Sequence, residues 1–263
     1  MIRPYFLEEI GDDGIARITF VRADVHNAFN DAFIAQLTTV LRGLESDERV
    51  RAVVLAADGK SFSAGADLKW MRSMARFAEA ENLEDALALA ELMRVLNGLA
   101  KPTLALVQGP AYGGGVGLVA CCDIALAAEA ASFTLSEVRL GLLPAVISPY
   151  IVAAIGARAA RRYCITGERI PAWEAHRLGL VHEVVAPGDL EATGRMVIDA
   201  ILAGGPVAQT AAKGLISEVV GRPVDGPLIE ETARRIAHIR VSPEGQEGLT
   251  AFFEKRPAAW VPK

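Results

Sequence analysis

The sequence has few of the residues on which cross-linked and metal-binding proteins depend. Cysteine occurs three times, and two of the three, Cys121 and Cys122, are adjacent. An odd number with this spacing argues against a disulfide framework, and buried thiols in a reducing compartment fit it better. The four histidines show none of the spacings that are typical of metal sites. We therefore expect neither a disulfide framework nor a bound metal.

Long hydrophobic runs and an excess of positive charge are also missing. The longest apolar run, 145–157, is too short to cross a bilayer. Residues 1–10 contain Glu8 and Glu9 and lack the apolar region of a signal peptide. A net charge of −5 argues against broad nucleic-acid binding. We expect a cytoplasmic protein with no membrane and no nucleic-acid partner.

What the sequence has is ample material for a packed core. Hydrophobic residues make up 52% of the 263 residues, and charged residues 22%, which is typical of a folded globular chain. Strand and helix patterns alternate up to about residue 190, and beyond it only helical patterns with Gly and Pro between them remain. This predicts a mixed α/β core domain over 1–195, with the active site, and a helical region over 196–263.

One stretch in the middle of the chain predicts an anion site. The apolar run Thr103–Val107 reads as a strand, and the glycines 113–115 that follow open a helix of small residues. Backbone N–H groups at the start of a helix attract negative charge. An isolated acid, Glu137, follows in otherwise apolar surroundings. The anion could be a phosphate, a cofactor or a developing oxyanion.

A dinucleotide site is one alternative for this stretch. Gly115–Ala120 matches the pattern G-x-G-x-x-A, and Glu137 lies twenty residues after Gly117. The predicted helix is too short for a βαβ crossover, which argues against a nicotinamide-binding oxidoreductase. A complete P-loop and a G-x-S-x-G nucleophile motif are both absent from the sequence.

An oxyanion site explains a second turn as well. Residues 64–68 (AGADL) and 112–115 (YGGG) are both small-residue turns beside a helix start, where a ligand can approach the backbone closely. Two N–H groups that converge on one carbonyl oxygen stabilise the negative charge of a transition state. The alternative is that both turns only permit tight packing.

Several blocks in order resemble the enoyl-CoA hydratase/isomerase (crotonase) family, over about residues 12–256. They are SAGADL (63–68), GPAYGGG (109–115) with CDI (122–124), SEVRLGLLP (136–144), TGE (166–168) with AWEA (172–175) and GLV (179–181), and AFFEKR (251–256).

The resemblance implies the α/β crotonase (ClpP/crotonase-like) fold of repeated ββα units, with a helical C-terminal region that makes trimers or dimers of trimers. It implies an acyl-CoA substrate, a stabilised thioester enolate, and no cofactor beyond the CoA of the substrate. The catalytic groups would be Glu137 and the backbone N–H groups of Ala66 and Gly114. Further CoA contacts would come from Ala64, Gly65, Ala66, Asp67, Leu68, Gly114, Arg22 and Lys255.

The sequence departs from the family pattern at Gly117. Hydratases of the family usually carry two glutamates, and the first lies two residues after the third glycine of the triplet, where this chain has Gly117. Only the second, Glu137, remains. We expect a lyase that hydrates 2-enoyl-CoA, and the alternative is a double-bond isomerase that uses a single glutamate.

The sequences of residues 113–118 and 136–150 resemble those of bacterial family members that act on glutaconyl-type thioesters, such as 3-methylglutaconyl-CoA in leucine catabolism. The distal carboxylate of such a substrate calls for a cation. Candidates are Lys69, Arg72 and Arg76, spaced along one helix face, and Arg139. The alternative is that these side chains form an ordinary solvated surface.

Overall fold

A computed structural model describes residues 4–262 of the chain. Within this range it contains nine strands: β1 Phe6–Ile10, β2 Ile15–Phe20, β3 Ala52–Ala57, β4 Thr103–Val107, β5 Ala111–Tyr112, β6 Ile124–Ala128, β7 Ser132–Thr134, β8 Ile170–Pro171 and β9 Glu183–Val185. Ten α-helices accompany them: α1 Asp31–Ser46, α2 Leu68–Met74, α3 Glu79–Gly98, α4 Gly114–Cys121, α5 Ser148–Thr166, α6 Ala172–Leu178, α7 Leu190–Ala203, α8 Pro206–Val219, α9 Gly226–Val241 and α10 Pro243–Glu254.

Six strands form the main sheet, in the order β1-β2-β3-β4-β6-β9. The β1–β2 pair is an antiparallel hairpin whose turn, 11–14, has the sequence GDDG, as the turn residues predict. The remaining pairs are parallel, and β3, β4 and β6 are almost wholly buried. Buried parallel strands read as continuous apolar runs, which is why β3 and β4 are recognisable in the sequence.

Helix α1 illustrates how local sequence sets an element. In the sequence, Asn30 before an apolar helical pattern predicts an N-cap. The side chain of Asn30 does accept a hydrogen bond from the backbone N–H of Phe33 at 3.0 Å. Phe33, Leu37, Leu41 and Leu44 recur at helical spacing and are all buried. The helix therefore packs by one apolar face.

A second, three-stranded sheet of β5, β7 and β8 supports the glycine turn. The N–H of Gly113 donates to the carbonyl of Thr134 in β7 at 2.9 Å. Gly113 has φ of +48°, a value that glycine adopts readily. Helix α4 begins at the next residue, as predicted, and β7 leads within three residues to Glu137.

The start of α5 differs from the sequence prediction. In the sequence, Ser148 followed by Pro149 predicts a helix with Ser148 as its N-cap. Ile147 holds the cap position instead, and Ser148 is the first helical residue. The hydroxyl of Ser148 instead donates to the carbonyl of Ala145 at 2.8 Å. Pro149 occupies the first turn, where its missing N–H costs nothing, so it marks the helix start without Ser148 as its cap.

The described residues divide into two compact units, one of residues 4–99 and 103–195 and the other of 100–102 and 196–262. In the second unit, Glu244 on α10 accepts hydrogen bonds from the N–H groups of Val207 and Ala208 at 2.9 and 2.8 Å. Several large apolar side chains of this unit are more than half exposed: Ile229, Ile236, Val241, Phe252 and Phe253. The predicted domain boundary and trimerisation role stay predictions.

Candidate active site

The two predicted turns lie against each other. The N–H of Tyr112 donates to the carbonyl of Ser63 at 2.9 Å, in a short parallel bridge between the turns. Gly65 has φ of +76°, and a Cβ there would lie 2.7 Å from the carbonyl oxygen of Tyr112 and 3.7 Å from the amide nitrogen of Gly114. Glycine at position 65 therefore permits this close approach of the two backbones.

The two predicted oxyanion donors face the same space. Ala66 and Gly114 line one cavity, and among the hydrogen bonds of residues 4–262 neither N–H group donates to a protein acceptor. The ring of Phe29 closes in on Gly114, where a Cβ would lie 2.5 Å from its Cζ atom. Phe29 itself is fixed by backbone bonds to Gly65 and Asp67 at 2.8 and 2.9 Å. Two backbone N–H groups that line one cavity and make no hydrogen bond to a protein acceptor form a site for a partial negative charge.

Glu137 lies beside these glycines and is half-buried. A Cβ at Gly113 would lie 2.9 Å from Oε1 of Glu137. Its Oε2 atom is buried and accepts no hydrogen bond from the described residues. Burial raises the pKa of the Glu137 carboxyl, against a smaller opposing effect of its own backbone N–H. A raised pKa favours a carboxyl that both takes up and returns a proton.

Gly117 lies beneath the cavity and contacts a different side chain. A Cβ at this position would overlap Cγ2 of Ile147, and would lie 3.0 Å from Cβ of Ile147 and 3.2 Å from Cε of Met93. Ile147 is buried. The space beside Gly117 is thus already filled by hydrocarbon, and a longer side chain there needs Ile147 to move.

The cavity has a volume of about 580 Å³, within the range of small-molecule sites. Its walls are largely apolar and include three exposed leucines of one loop, Leu140, Leu142 and Leu143. A groove of about 960 Å³ between α5 and α6 is larger. Its acid, Glu174, already accepts hydrogen bonds from Arg177 at 2.6 Å and Tyr163 at 3.0 Å. The smaller cavity, with its unpartnered acid, is the better candidate.

Helices α2 and α3 contribute another part of the cavity lining, called here the α2–α3 wall. Trp70 and Met74 line it from α2, and Asn82, Asp85 and Leu89 from α3. The Trp70 side chain lies near enough to the Asp85 carboxyl to act on its pKa as a donor. The pKa of Asp85 is raised, chiefly by burial and further by the negative charge of Asp31, while Trp70 lowers it. The cavity therefore contains a second carboxyl group.

Some of the predicted CoA contacts lie elsewhere. Ala64, Gly65 and Leu68 line the cavity, whereas the buried Asp67 caps α2, accepting from the N–H of Lys69 at 2.8 Å. Arg22 donates to the Ala28 carbonyl at 3.2 Å and to Asp67 at 3.4 Å. Lys255 belongs to the second unit, where it ends α10 with φ of 54°. Their role in CoA binding stays a prediction.

The four cations that were expected near a distal carboxylate are not on the cavity. Among the residues that the structure describes, its lining includes none of Lys69, Arg72, Arg76 and Arg139. Arg139 instead lies close to Gly167, where a Cβ would be 3.2 Å from its Nε atom. The only ionisable carboxyls on the described lining are Glu137 and Asp85, so this wall lacks the predicted positive charge.

Asp85, Trp70 and Ile147 were missed by the sequence analysis. A signal existed for Asp85, because Asn82 and Asp85 continue the helical spacing of Leu89, Leu92 and Leu96 on the inner face of α3. Polar residues on the inner face of a helix indicate a functional role. Nothing local to Ile147 reveals that it fills the space beside Gly117.

Comparison with known proteins identifies this arrangement. The family model described as Enoyl-CoA hydratase/isomerase matches residues 11–263. The chain belongs to the enoyl-CoA hydratase/isomerase family. The α/β crotonase fold is confirmed by solved structures, among them that of an enoyl-CoA hydratase from Shewanella pealeana, with a TM-score of 0.94 and 47% identity over 98% of this chain and 96% of that one.

Curated relatives of the enoyl-CoA hydratase/isomerase family are similar over nearly their full length. The short-chain-enoyl-CoA hydratase of Clostridium acetobutylicum is 32% identical over 244 residues, 92% of each chain. The crotonyl-CoA hydratase of Syntrophomonas wolfei is 30% identical over 255 residues, 96% of each chain.

No three His, Cys, Asp or Glu side chains of residues 4–262 converge as ligands for a metal ion. No helix within the same range has the length and apolar character needed to cross a bilayer.

Proposed function

We propose that this protein is an enoyl-CoA hydratase, a lyase that adds water across the double bond of a 2-enoyl-CoA thioester. The observation that carries the proposal is the buried, unpartnered Oε2 atom of Glu137, in a cavity that also exposes the backbone at Ala66 and Gly114. The names of the curated relatives support the same reaction. Acyl-CoA is the substrate, and the proposal requires no metal or redox cofactor.

In the proposed mechanism Glu137 first acts as a base. Its carboxylate takes a proton from a water molecule, whose oxygen forms a bond to C3 while the C2–C3 π electrons move toward the thioester. The N–H groups of Ala66 and Gly114 stabilise the resulting enolate oxygen. Glu137 then returns the proton to C2, so that the net change is addition of one water molecule.

A double-bond isomerase is the second candidate, because Gly117 leaves one glutamate in the position of the usual two. In that reaction Glu137 would carry a proton between C2 and C4, and no water would be consumed. Product analysis separates the two reactions: hydration abolishes the conjugated thioester absorbance and forms a 3-hydroxy product. A nicotinamide-binding oxidoreductase predicts NAD(H) affinity instead, which one fluorescence titration tests.

The catalytic role of Glu137 is tested by Glu137→Gln. We expect kcat to fall by about 10²–10⁴, the usual contribution of general acid–base catalysis, with acyl-CoA binding retained because the amide preserves the shape. Glu129→Gln, at an exposed acid, is the matched control and should leave kcat unchanged. A Glu137→Gln enzyme within about tenfold of wild type would exclude this role.

The finer prediction of 3-methylglutaconyl-CoA as substrate rests on the motifs alone. Its distal carboxylate would enter a cavity whose described lining contains Asp85 and Glu137 and no lysine or arginine. Measuring kcat/KM for 3-methylglutaconyl-CoA and crotonyl-CoA tests it, and turnover of crotonyl-CoA at least as efficient would count against the prediction.

Assembly and location complete the proposal. We infer a trimer or a dimer of trimers, supported by the exposed Ile236, Phe252 and Phe253 of the helical unit, because large exposed apolar side chains mark interaction surfaces. Sedimentation equilibrium should give three or six times the 27.9 kDa chain mass. A monomer would refute the inference. The cytoplasm is the proposed location.

A further inference from the structure

The α2–α3 wall of the cavity contains polar groups that the proposed hydration does not use. Asp85 and Asn82 lie one helical turn apart on α3, and both line the cavity together with Trp70 of α2. By the 1.5 Å rise of a helix, Asp85 is about 12 Å along α3 from Met93, which contacts the Gly117 layer. The pair therefore lies well away from the layer of Gly117 and Ile147.

The amide donors of Asn82 on this wall are already used within the protein. The amide nitrogen of Asn82 donates to the carbonyls of Phe77 and Ala78 at 3.1 and 3.2 Å. Indole N–H is the sole donor of a tryptophan side chain, and Trp70 lines the cavity beside Asp85. The Asn82 amide oxygen and the Asp85 carboxylate can act only as hydrogen-bond acceptors for a ligand in the cavity. A ligand that satisfies both must supply a donor.

This inference rests on the proposed function. We propose that Asp85, which lines the cavity beside Trp70, determines which acyl chain the enzyme accepts. Its carboxylate accepts a hydrogen bond from a neutral donor on the acyl chain, such as a hydroxyl group. It disfavours an acyl chain that ends in a carboxylate, because two like charges would share a cavity with no cation on its described lining.

Three six-carbon substrates that differ only at the terminus test the proposal: 2-hexenoyl-CoA, 6-hydroxy-2-hexenoyl-CoA and the carboxylate-terminated 2-hexenedioyl-CoA. In wild type we expect kcat/KM for the hydroxyl ester to exceed that for the carboxylate ester by about tenfold or more. In Asp85→Asn the ratio should fall by about tenfold, because the amide removes the charge and adds donors. For 2-hexenoyl-CoA, kcat/KM should change by less than about threefold in the same variant.

Two further variants separate specificity from folding. Glu84→Gln removes a neighbouring exposed charge on α3 and should leave all three substrate ratios unchanged. Trp70→Phe removes the indole donor and should shift the ratios in the same direction as Asp85→Asn, by less. If Asp85→Asn lowers the thermal midpoint but leaves the hydroxyl-to-carboxylate ratio within about twofold of wild type, Asp85 only joins α2 to α3 and the proposal is overturned.

Failure of the hydratase itself gives a different result. If wild type hydrates none of the three esters, the proposed function fails, and calorimetric binding of the saturated analogues decides the role of Asp85. Hexanoyl-CoA, 6-hydroxyhexanoyl-CoA and adipoyl-CoA are the probes. Tighter binding of the hydroxyl analogue than of adipoyl-CoA, lost in Asp85→Asn, would support the role, and equal binding would overturn it.

Discussion

Gly117→Ala adds one methyl group at the most crowded point beneath the cavity. The new Cβ would overlap Cγ2 of Ile147 and lie 3.0 Å from its Cβ atom, against the 3.5–4.0 Å of ordinary carbon contacts. Such overpacking costs about 1–3 kcal/mol. Replacing a helical glycine by alanine gains about 0.8–1.0 kcal/mol. The free energy of unfolding should therefore change by between almost nothing and a loss of about 2 kcal/mol.

Gly43→Ala isolates the packing effect. Gly43 is exposed within α1, and a Cβ there would meet no atom within 4 Å, so the substitution should stabilise by up to about 1 kcal/mol. The difference between the two variants in urea unfolding then measures the overlap alone, at about 1–3 kcal/mol. Gly117→Ala that stabilises as much as Gly43→Ala would refute the reasoning.

A double-mutant cycle with Ile147→Ala assigns the overlap to its partner. Ile147→Ala alone should cost about 2–5 kcal/mol, because it leaves a cavity. In that background Gly117→Ala should stabilise the protein, which gives a coupling energy of about 1–3 kcal/mol. An identical effect of Gly117→Ala in both backgrounds would show that Ile147 is not the obstacle.

The same overlap bears on the missing glutamate. Gly117→Glu alone should lower stability and should not raise hydratase turnover, because Ile147 occupies the space its side chain needs. With Ile147→Ala added, the new carboxylate has room beside the cavity. Comparing kcat for 2-hexenoyl-CoA in the single and double variants tests whether the shorter side chain is required.

Two other predictions concern the turn and the acid. Gly65→Ala should lower the free energy of unfolding more than Gly221→Ala, because Gly221 has a similar φ but a Cβ there would meet no atom within 4 Å, and Gly221→Ala should cost about 1–2 kcal/mol. Gly65→Ala should also lower kcat/KM. Equal free energies of unfolding for the two variants would contradict the clash with Tyr112. Because burial raises the pKa of Glu137, the free energy of unfolding should fall as pH rises from about 4.5 through the native pKa. Glu137→Gln should remove this fall in urea titrations, and an unchanged pH slope would contradict it.

Much of the fold could be predicted because its signals are local. The GDDG turn at 11–14 joins β1 and β2, and Asn30 caps α1 through a residue three positions away. Strand β4 and the start of α4 follow from an apolar run and three glycines. Such signals depend on backbone preferences and hydrogen bonds between near neighbours, so neither distant packing nor a partner was needed to find them.

The sequence by itself thus determined the elements, the two glycine turns, the family motifs and Glu137 as the isolated acid. Tertiary structure decided what surrounds them: it set Ile147 against Gly117, turned Asp85 into the cavity, and left Lys69, Arg72 and Arg76 off its lining. The reason is that a cavity is lined by side chains from elements far apart in sequence, whose contacts depend on how whole helices pack. The residues next to a given position along the chain therefore do not predict which distant side chains it will contact.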